Sequence, residues 1–286
     1  MPKPSTTSQG LSNLASAKNS AIAKFSVAKP NIAKPSIDLN CDMGESFGAY
    51  TIGNDEALMK YASSVNIACG FHGGDPSVMR RTVQLALEHS VNIGAHPGLP
   101  DKEGFGRRTM QVSAKEVYDM VLYQISALGG ITTALGGTMT HVKPHGALYN
   151  MLATNADLSA ACAEAIYALN PNLVFVGLAN SVMIREGENI GLRTASEGFA
   201  DRTYQADGTL TPRTKPNALI TSSGEAAAQA VSIVLNNRAR THDGGSVHVR
   251  AQTICLHGDN PDSVRFARAV VRGLKSAGID IRSFVG

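Results

Sequence analysis

Hydrophobic positions in this chain fall into short runs separated by longer amphipathic stretches. Strand-like runs occur at residues 36–40, 64–69, 91–95, 140–143, 173–178, 192–196 and 253–256. Helical stretches lie between most of them. Residues 75–90 open on Asp75-Pro76, a capping residue followed by Pro at the first helical position. Ser113-Ala-Lys-Glu116 spells a capping box before a long helix reaching about residue 128. Residues 157–169, 223–237 and 262–277 complete the set. Alternating strands and helices predict a parallel sheet with right-handed crossovers. About seven such units in roughly 250 residues suit a closed barrel better than an open sheet.

Fully buried parallel strands usually read as continuous apolar runs. Several strands here alternate instead. Asp38, Asn40 and Asp42 share one parity against Leu39, Cys41 and Met43. Asn66 and His72 oppose Ile67, Cys69 and Phe71, and Asn92 and His96 oppose Ile93 and Ala95. His141, Lys143 and His145 oppose Val142 and Pro144, while His257 and Asp259 follow Cys255 on one parity. Side chains alternate between faces along a strand, so one face becomes polar at its exit. In a βα barrel the C-terminal rim is where sites are built.

Composition narrows the function classes. Of 286 residues, 43% are hydrophobic and 17% charged, which allows a large core. No apolar run approaches the length of a membrane span. Residues 1–37 hold five lysines and no acid, leaving 21 basic against 23 acidic residues in the remainder. The net charge of +3 therefore belongs to the first segment, and the rest gives no electrostatic reason to bind nucleic acid. Residues 1–35 read as a disordered basic extension. A mitochondrial transit peptide is the lesser reading, weakened by the lack of Arg. Residues 36–286 read as one catalytic barrel domain. Four cysteines with no CxxC pair, and no secretory signal segment, point to a reducing cytoplasmic compartment.

Seven strings carry the polar residues. In Asp38-Leu-Asn-Cys-Asp-Met-Gly-Glu45, three carboxylates follow one another closely enough to shift each other's protonation or to hold a divalent metal. Asn66-Ile-Ala-Cys-Gly-Phe-His-Gly-Gly-Asp75 sets His72 among glycines. Gly94-Ala-His-Pro-Gly98 carries His96, and Gly104-Phe-Gly-Arg-Arg108 offers two guanidinium forks suited to a carboxylate or phosphate. His141-Val-Lys-Pro-His-Gly146 places Lys143 at a strand end and makes His145 an acid–base candidate. Glu197-Gly-Phe-Ala-Asp-Arg-Thr-Tyr204 reads as a rim or lid loop, and Cys255-Leu-His-Gly-Asp259 is a further strand exit. No Gly-Lys dipeptide occurs, so there is no Walker A loop. A metal at His72, His96 and Asp42 matches no strong spacing pattern, so metal binding stays open.

These strings, together with His141-Val-Lys-Pro-His-Gly-Ala-Leu-Tyr149, Phe199-Ala-Asp-Arg202 and His257-Gly-Asp259, stand in a known order. Over about residues 36–280 the sequence resembles the LamB/YcsF family, the A subunit of ATP-dependent 5-oxoprolinase. The resemblance implies a seven-stranded, TIM-like (β/α) barrel of the glycoside hydrolase/deacetylase type. It also implies 5-oxo-L-proline as substrate, opened to glutamate with ATP as co-substrate, and B and C partner subunits. The first 35 residues lie outside the family pattern. Ser46 and Tyr50 stand where members more often carry Gly and Trp.

Opening a lactam needs a base, an acid for the ring nitrogen and a cation near the developing negative charge. Asp42 or His72 is expected as base, His145 as acid and Lys143 as electrostatic stabiliser. Arg107 or Arg108 is expected to hold the substrate carboxylate. Asp38, Asn40, Asn66, His96, Glu197, Asp201, Arg202, His257 and Asp259 complete the expected substrate-binding set. Two alternatives stay open: a metal-dependent deacetylase or amidohydrolase, and a non-catalytic scaffold that binds a lactam.

Overall fold

Seven parallel strands close on themselves. They are β1 (Ser36–Met43), β2 (Ser64–Ala68), β3 (Asn92–His96), β4 (Met139–Val142), β5 (Val174–Leu178), β6 (Arg193–Phe199) and, after a hairpin, β9 (Thr253–Leu256). Each pairs with the next, and β9 returns to β1 with Leu39 opposite Ile254. The hairpin is β7 (Arg238–Arg240) against β8 (Ser246–His248), antiparallel, and β10 (Asp280–Ile281) extends the start of β1. The computed structural model describes residues 34–258 and 262–285. The barrel expected from the strand–helix rhythm is the barrel observed. The expectation for residues 1–35 falls, except for Lys34 and Pro35, outside the described residues.

The helices are α1 (Asp55–Met59), α2 (Pro76–Glu88), α3 (Ala114–Ala134), α4 (Gly146–Leu152), α5 (Ala156–Leu169), α6 (Val182–Asn189), α7 (Ser223–Asn236) and α8 (Ser263–Ser276). Their starts follow from their caps. The Asp75 carboxylate accepts from the backbone of Ser77 and Val78, with Pro76 in the first turn. Ser113 and Glu116 form the reciprocal capping box. α3 runs past the expected end near residue 128, through Gly129 and Gly130. It stops at Leu135, where Gly136 adopts a positive φ of 78°. Among the described residues, no helix is long and apolar enough to cross a membrane.

The alternation along β1 has a direct physical outcome. Leu39, Cys41 and Met43 join the apolar cluster that includes Val83 of α2, Val121 of α3 and Val270 of α8. Asn40 and Asp42 point the other way, and Asn40 bonds across the barrel to Glu197 and Thr253. The barrel is thus filled by a hydrogen-bonded polar column where many such barrels stack branched apolar side chains. Gly94 makes room for that column, because a Cβ there would lie 2.1 Å from Nε2 of His141. Phe284 meets the His141 ring edge-on and packs on Val174, Val176 and Ala195, so the C-terminal segment fills the end opposite the rim.

Candidate active site

The column begins at Asp38. Its carboxylate accepts from the hydroxyls of Ser63 (2.7 Å), Ser64 (2.6 Å) and Thr253. Burial pushes the Asp38 carboxyl up, against the pull of those hydroxyls. One level higher, the amides of Asn40 and Asn66 interlock. Asn66 Nδ2 donates to Asn40 Oδ1 and to Asp42 Oδ1, both at 2.8 Å. Asn40 Nδ2 donates to Thr253 Oγ1 (2.7 Å) and Glu197 Oε1 (3.0 Å). His141 Nε2 lies 2.9 Å from Asn66 Oδ1 and donates to it. A buried amide with its donors and acceptor engaged has one orientation, so this layer is a rigid seat.

Lys143 rises from that seat. Its ammonium lies 2.8 Å from Asp42 Oδ1 and 2.9 Å from Glu197 Oε1, and donates to Asn40 Oδ1 (3.0 Å) and Cys255 Sγ (3.2 Å). Burial works against the ammonium, but the fields of Asp42, Cys255 and Glu197 outweigh it and hold its pKa well above the usual lysine range. For Asp42, burial opposes ionisation, yet His96 and Lys143 hold its carboxyl well below the usual range. The Tyr149 phenol donates to the other oxygen of Glu197 at 2.7 Å.

Above Lys143 a cavity of about 530 Å³ opens at the C-terminal rim. Asp42, Glu45, His96, Lys143 and His145 line one side, with Arg107 from the loop after β3. Arg202, Arg213 and His257 line the side formed by the loops after β6 and β9. Arg202 is buried, donates to the Thr211 carbonyl (2.7 Å), and is pushed down to about 10 by burial and by Arg213. His257 Nδ1 lies 2.9 and 2.8 Å from the two oxygens of Asp201, so a hydrogen on Nδ1 is fixed and Nε2 is left as the basic nitrogen. Burial raises the Asp201 carboxyl, but His257 and Arg202 bring it below the usual range.

The sequence-derived set divides accordingly. Asp42, His96, Arg107, Lys143, His145, Arg202 and His257 line the cavity. Asp38, Asn40, Asn66 and Glu197 do not; they lie below it and build the seat under Lys143. Their expected substrate contact is corrected to a positioning one, because their polar groups are consumed by one another. Glu197 lies inside β6, fully buried, and not in the expected rim loop. His72 is fully buried and stacks against His145 with ring centroids 3.7 Å apart and planes 4° from parallel. It does not reach the cavity, which removes it as a base acting on substrate. His145 fits the acid role poorly, since Nε2 bonds the Phe105 carbonyl (2.8 Å) and Nδ1 lies 3.0 Å from His96 Nε2. Arg108 turns away to Asp101, with its side chain 62% exposed. Asp259 lies outside the described residues.

The expected site set omits Glu45, Tyr149 and Arg213, although Glu45 is one of the three carboxylates weighed in the first string and Tyr149 sits within a quoted string. Residues 44–48 also spell G-x-S-x-G. The Ser46 hydroxyl accepts from the backbone N–H of Ile52 and donates to its carbonyl, so no base activates it.

Residues 37–286 match the model of the LamB/YcsF family. The chain belongs to the LamB/YcsF family. It is 58% identical over 247 residues to the A subunit of the Shouchella clausii 5-oxoprolinase, covering 86% of this chain and 98% of that one. Against the A subunit of the Geobacillus kaustophilus 5-oxoprolinase the identity is 57%, covering 86% and 96%. The crystal structure of the lactam utilization protein from Thermus thermophilus superposes with a TM-score of 0.82 at 45% identity, over 87% of this chain and all of that one. In this LamB/YcsF chain, the residues that line the rim cavity all lie within the matched segment.

Proposed function

We propose that this chain is the A subunit of an ATP-dependent 5-oxoprolinase that opens 5-oxo-L-proline to L-glutamate together with B and C subunits. The observation that carries the proposal is the 58% identity, along nearly the whole of the relative, to a protein named for the same role in a 5-oxoprolinase. The cavity supports it by its chemistry: a buried cation, an oriented imidazole and arginines stand around one space.

A five-membered lactam is a stabilised amide and a weak electrophile. Transfer of a phosphoryl group from ATP to its oxygen turns that oxygen into a leaving group. Water then adds to the ring carbon and the C–N bond breaks as the nitrogen takes a proton, leaving an acyl phosphate, from which a second water displaces phosphate. In sum, 5-oxoproline, ATP and two waters give glutamate, ADP and phosphate. Lys143 stabilises negative charge growing on the oxygen, and its fixed seat means no reorganisation is needed as that charge develops. His257, oriented by Asp201, takes the proton from water. Arg107 holds the substrate carboxylate, and Arg202 adds positive charge on the opposite side.

The chain carries no P-loop, so ATP is used chiefly on the partner subunits and an activated species reaches this cavity. Reconstitution with candidate B and C subunits, following glutamate and ADP, tests the reading. Glutamate should form only with all three chains present. Undiminished glutamate and ADP formation by B and C alone would refute it, as would robust ATP-dependent turnover by this chain alone.

A further inference from the structure

At the cavity wall, the hydrogen bonds of two imidazoles leave a charge unaccounted for. His96 Nδ1 lies 2.6 Å from the Lys143 carbonyl oxygen, and His145 Nε2 lies 2.8 Å from the Phe105 carbonyl oxygen. A carbonyl oxygen only accepts, so both of these nitrogens carry hydrogen. The remaining nitrogens, His96 Nε2 and His145 Nδ1, face each other at 3.0 Å, and His96 Nε2 also lies 3.3 Å from Asp42 Oδ2. In neutral rings each presents a lone pair there, and two lone pairs at that separation repel unless a positive centre joins them.

A carboxylate converges on the same point. Glu45 Oε1 is 3.7 Å from His145 Nδ1, and donor atoms of Glu45, His96 and His145 all lie within 4.8 Å of one another. An ion with bonds of about 2.0–2.2 Å in tetrahedral geometry holds its donors about 3.3–3.5 Å apart, between the 3.0 and 3.7 Å found. Imidazole ligands characteristically give their other N–H to a carbonyl or carboxylate, as both do here. We propose that Glu45, His96 and His145 form a binding site for a divalent transition-metal ion of the zinc class, with one coordination position open to the cavity. All three residues line that cavity, and two imidazoles with one carboxylate favour such an ion over calcium or magnesium.

His72 supplies an independent sign. It is fully buried, neither ring nitrogen has a hydrogen-bond partner, and its Nε2 points to Glu45 Oε1 at 3.7 Å. Because its ring is parallel to that of His145, one ion cannot lie in both planes, so His72 backs the site and does not ligate. A proton on His96 Nε2, shared with His145 and held by Asp42 Oδ2 at 3.3 Å, would settle that pair alone. It leaves the buried His72 imidazole, with neither ring nitrogen partnered, unexplained at the same place. The other donors that cluster among the described residues, Asp42, Cys255 and His257, already have a cation: the Lys143 ammonium bonds both Asp42 and Cys255.

The test uses the full chain without partners or substrate, stripped by a chelator and then titrated with Zn²⁺ and Co²⁺. The expected result is one ion per chain in calorimetry, visible d–d absorption with Co²⁺, and a raised Tm in the loaded protein. Glu45→Gln and His145→Asn should each weaken binding by more than the roughly 10–100-fold typical of changes outside the ligand shell. His257→Asn should leave it unchanged. X-ray absorption of the zinc-loaded wild type keeps the question decidable if a variant fails to fold: only nitrogen and oxygen neighbours are expected. A sulfur neighbour would place the ion on a cysteine and overturn the proposal, as would saturating Zn²⁺ that never reaches one ion per chain. No turnover is measured, so failure here leaves the reading of function standing.

Discussion

Lys143 and Glu197, brought in by β4 and β6, meet at 2.9 Å in the barrel interior, both shielded from solvent. They are 54 positions apart in the chain and are joined only by barrel closure. Removing the cation leaves Glu197 buried without a counter-charge and Asp42 with only His96 beside it. Lys143→Ala should therefore cost about 3–5 kcal/mol of stability, the range for breaking a buried pair on one side. Denaturant unfolding checks this. The double variant Lys143→Met/Glu197→Gln should recover part of the loss, while ring opening in the reconstituted complex stays abolished.

The His257–Asp201 contact sets a second expectation. Asp201→Asn replaces the acceptor that fixes the Nδ1–H tautomer. By analogy with oriented imidazole bases, kcat should fall at least about 100-fold with little change in Tm. If glutamate formation keeps its wild-type kcat, His257 is not the base.

Arg107 and Arg108 are neighbours in sequence with opposite surroundings. Arg107 lines the cavity, whereas Arg108 pairs with Asp101 beside it. Arg107→Ala should raise KM for 5-oxoproline about 10-fold or more, the scale of a lost charged contact. Arg108→Ala should leave KM within about twofold, since exposed pairs contribute little. Steady-state kinetics of the two variants side by side decides between them.

Acid should destabilise the fold through His141. Burial, then Lys143, pushes its imidazole from 6.5 down to about 3. Below pH 6.5 the unfolded chain takes up a proton that the native chain refuses. Stability is therefore lost as pH drops from about 6.5 toward 3, by several kcal/mol at about 1.4 per pH unit. His141→Gln should flatten that limb of a urea-midpoint-against-pH curve. An unchanged slope would mean that another group drives it.

Much of the fold was legible because barrel strands and their helices are set by local rules. Asp75-Pro76 and the Ser113–Glu116 box fix helix starts through neighbouring backbone groups, and the structure places both where the sequence does. The end of α3 was not legible: tertiary packing carries the helix through Gly129 and Gly130, residues that weaken an isolated helix. The site was legible as a set of strand ends and not as a set of roles. Asn40 and Asp42 look equivalent in the string, yet one props Lys143 from below and the other borders the cavity.

By itself, the sequence determined that a polar stripe would face inward, because strand side chains alternate with period two whatever they pack against. It determined the barrel class and the strings that mark the family. Only the tertiary structure decided which polar groups spend their hydrogen bonds on each other and which are left facing the cavity. That division depends on register across strands, as in Asp42 opposite Asn66 and Asn40 opposite Cys255. It also depends on loops such as Gly104–Arg108 folding over the His72–His145 stack, where Gly106 at φ 64° passes too close for a side chain. Distances between residues far apart in the chain come from closure of the barrel, which no local pattern encodes.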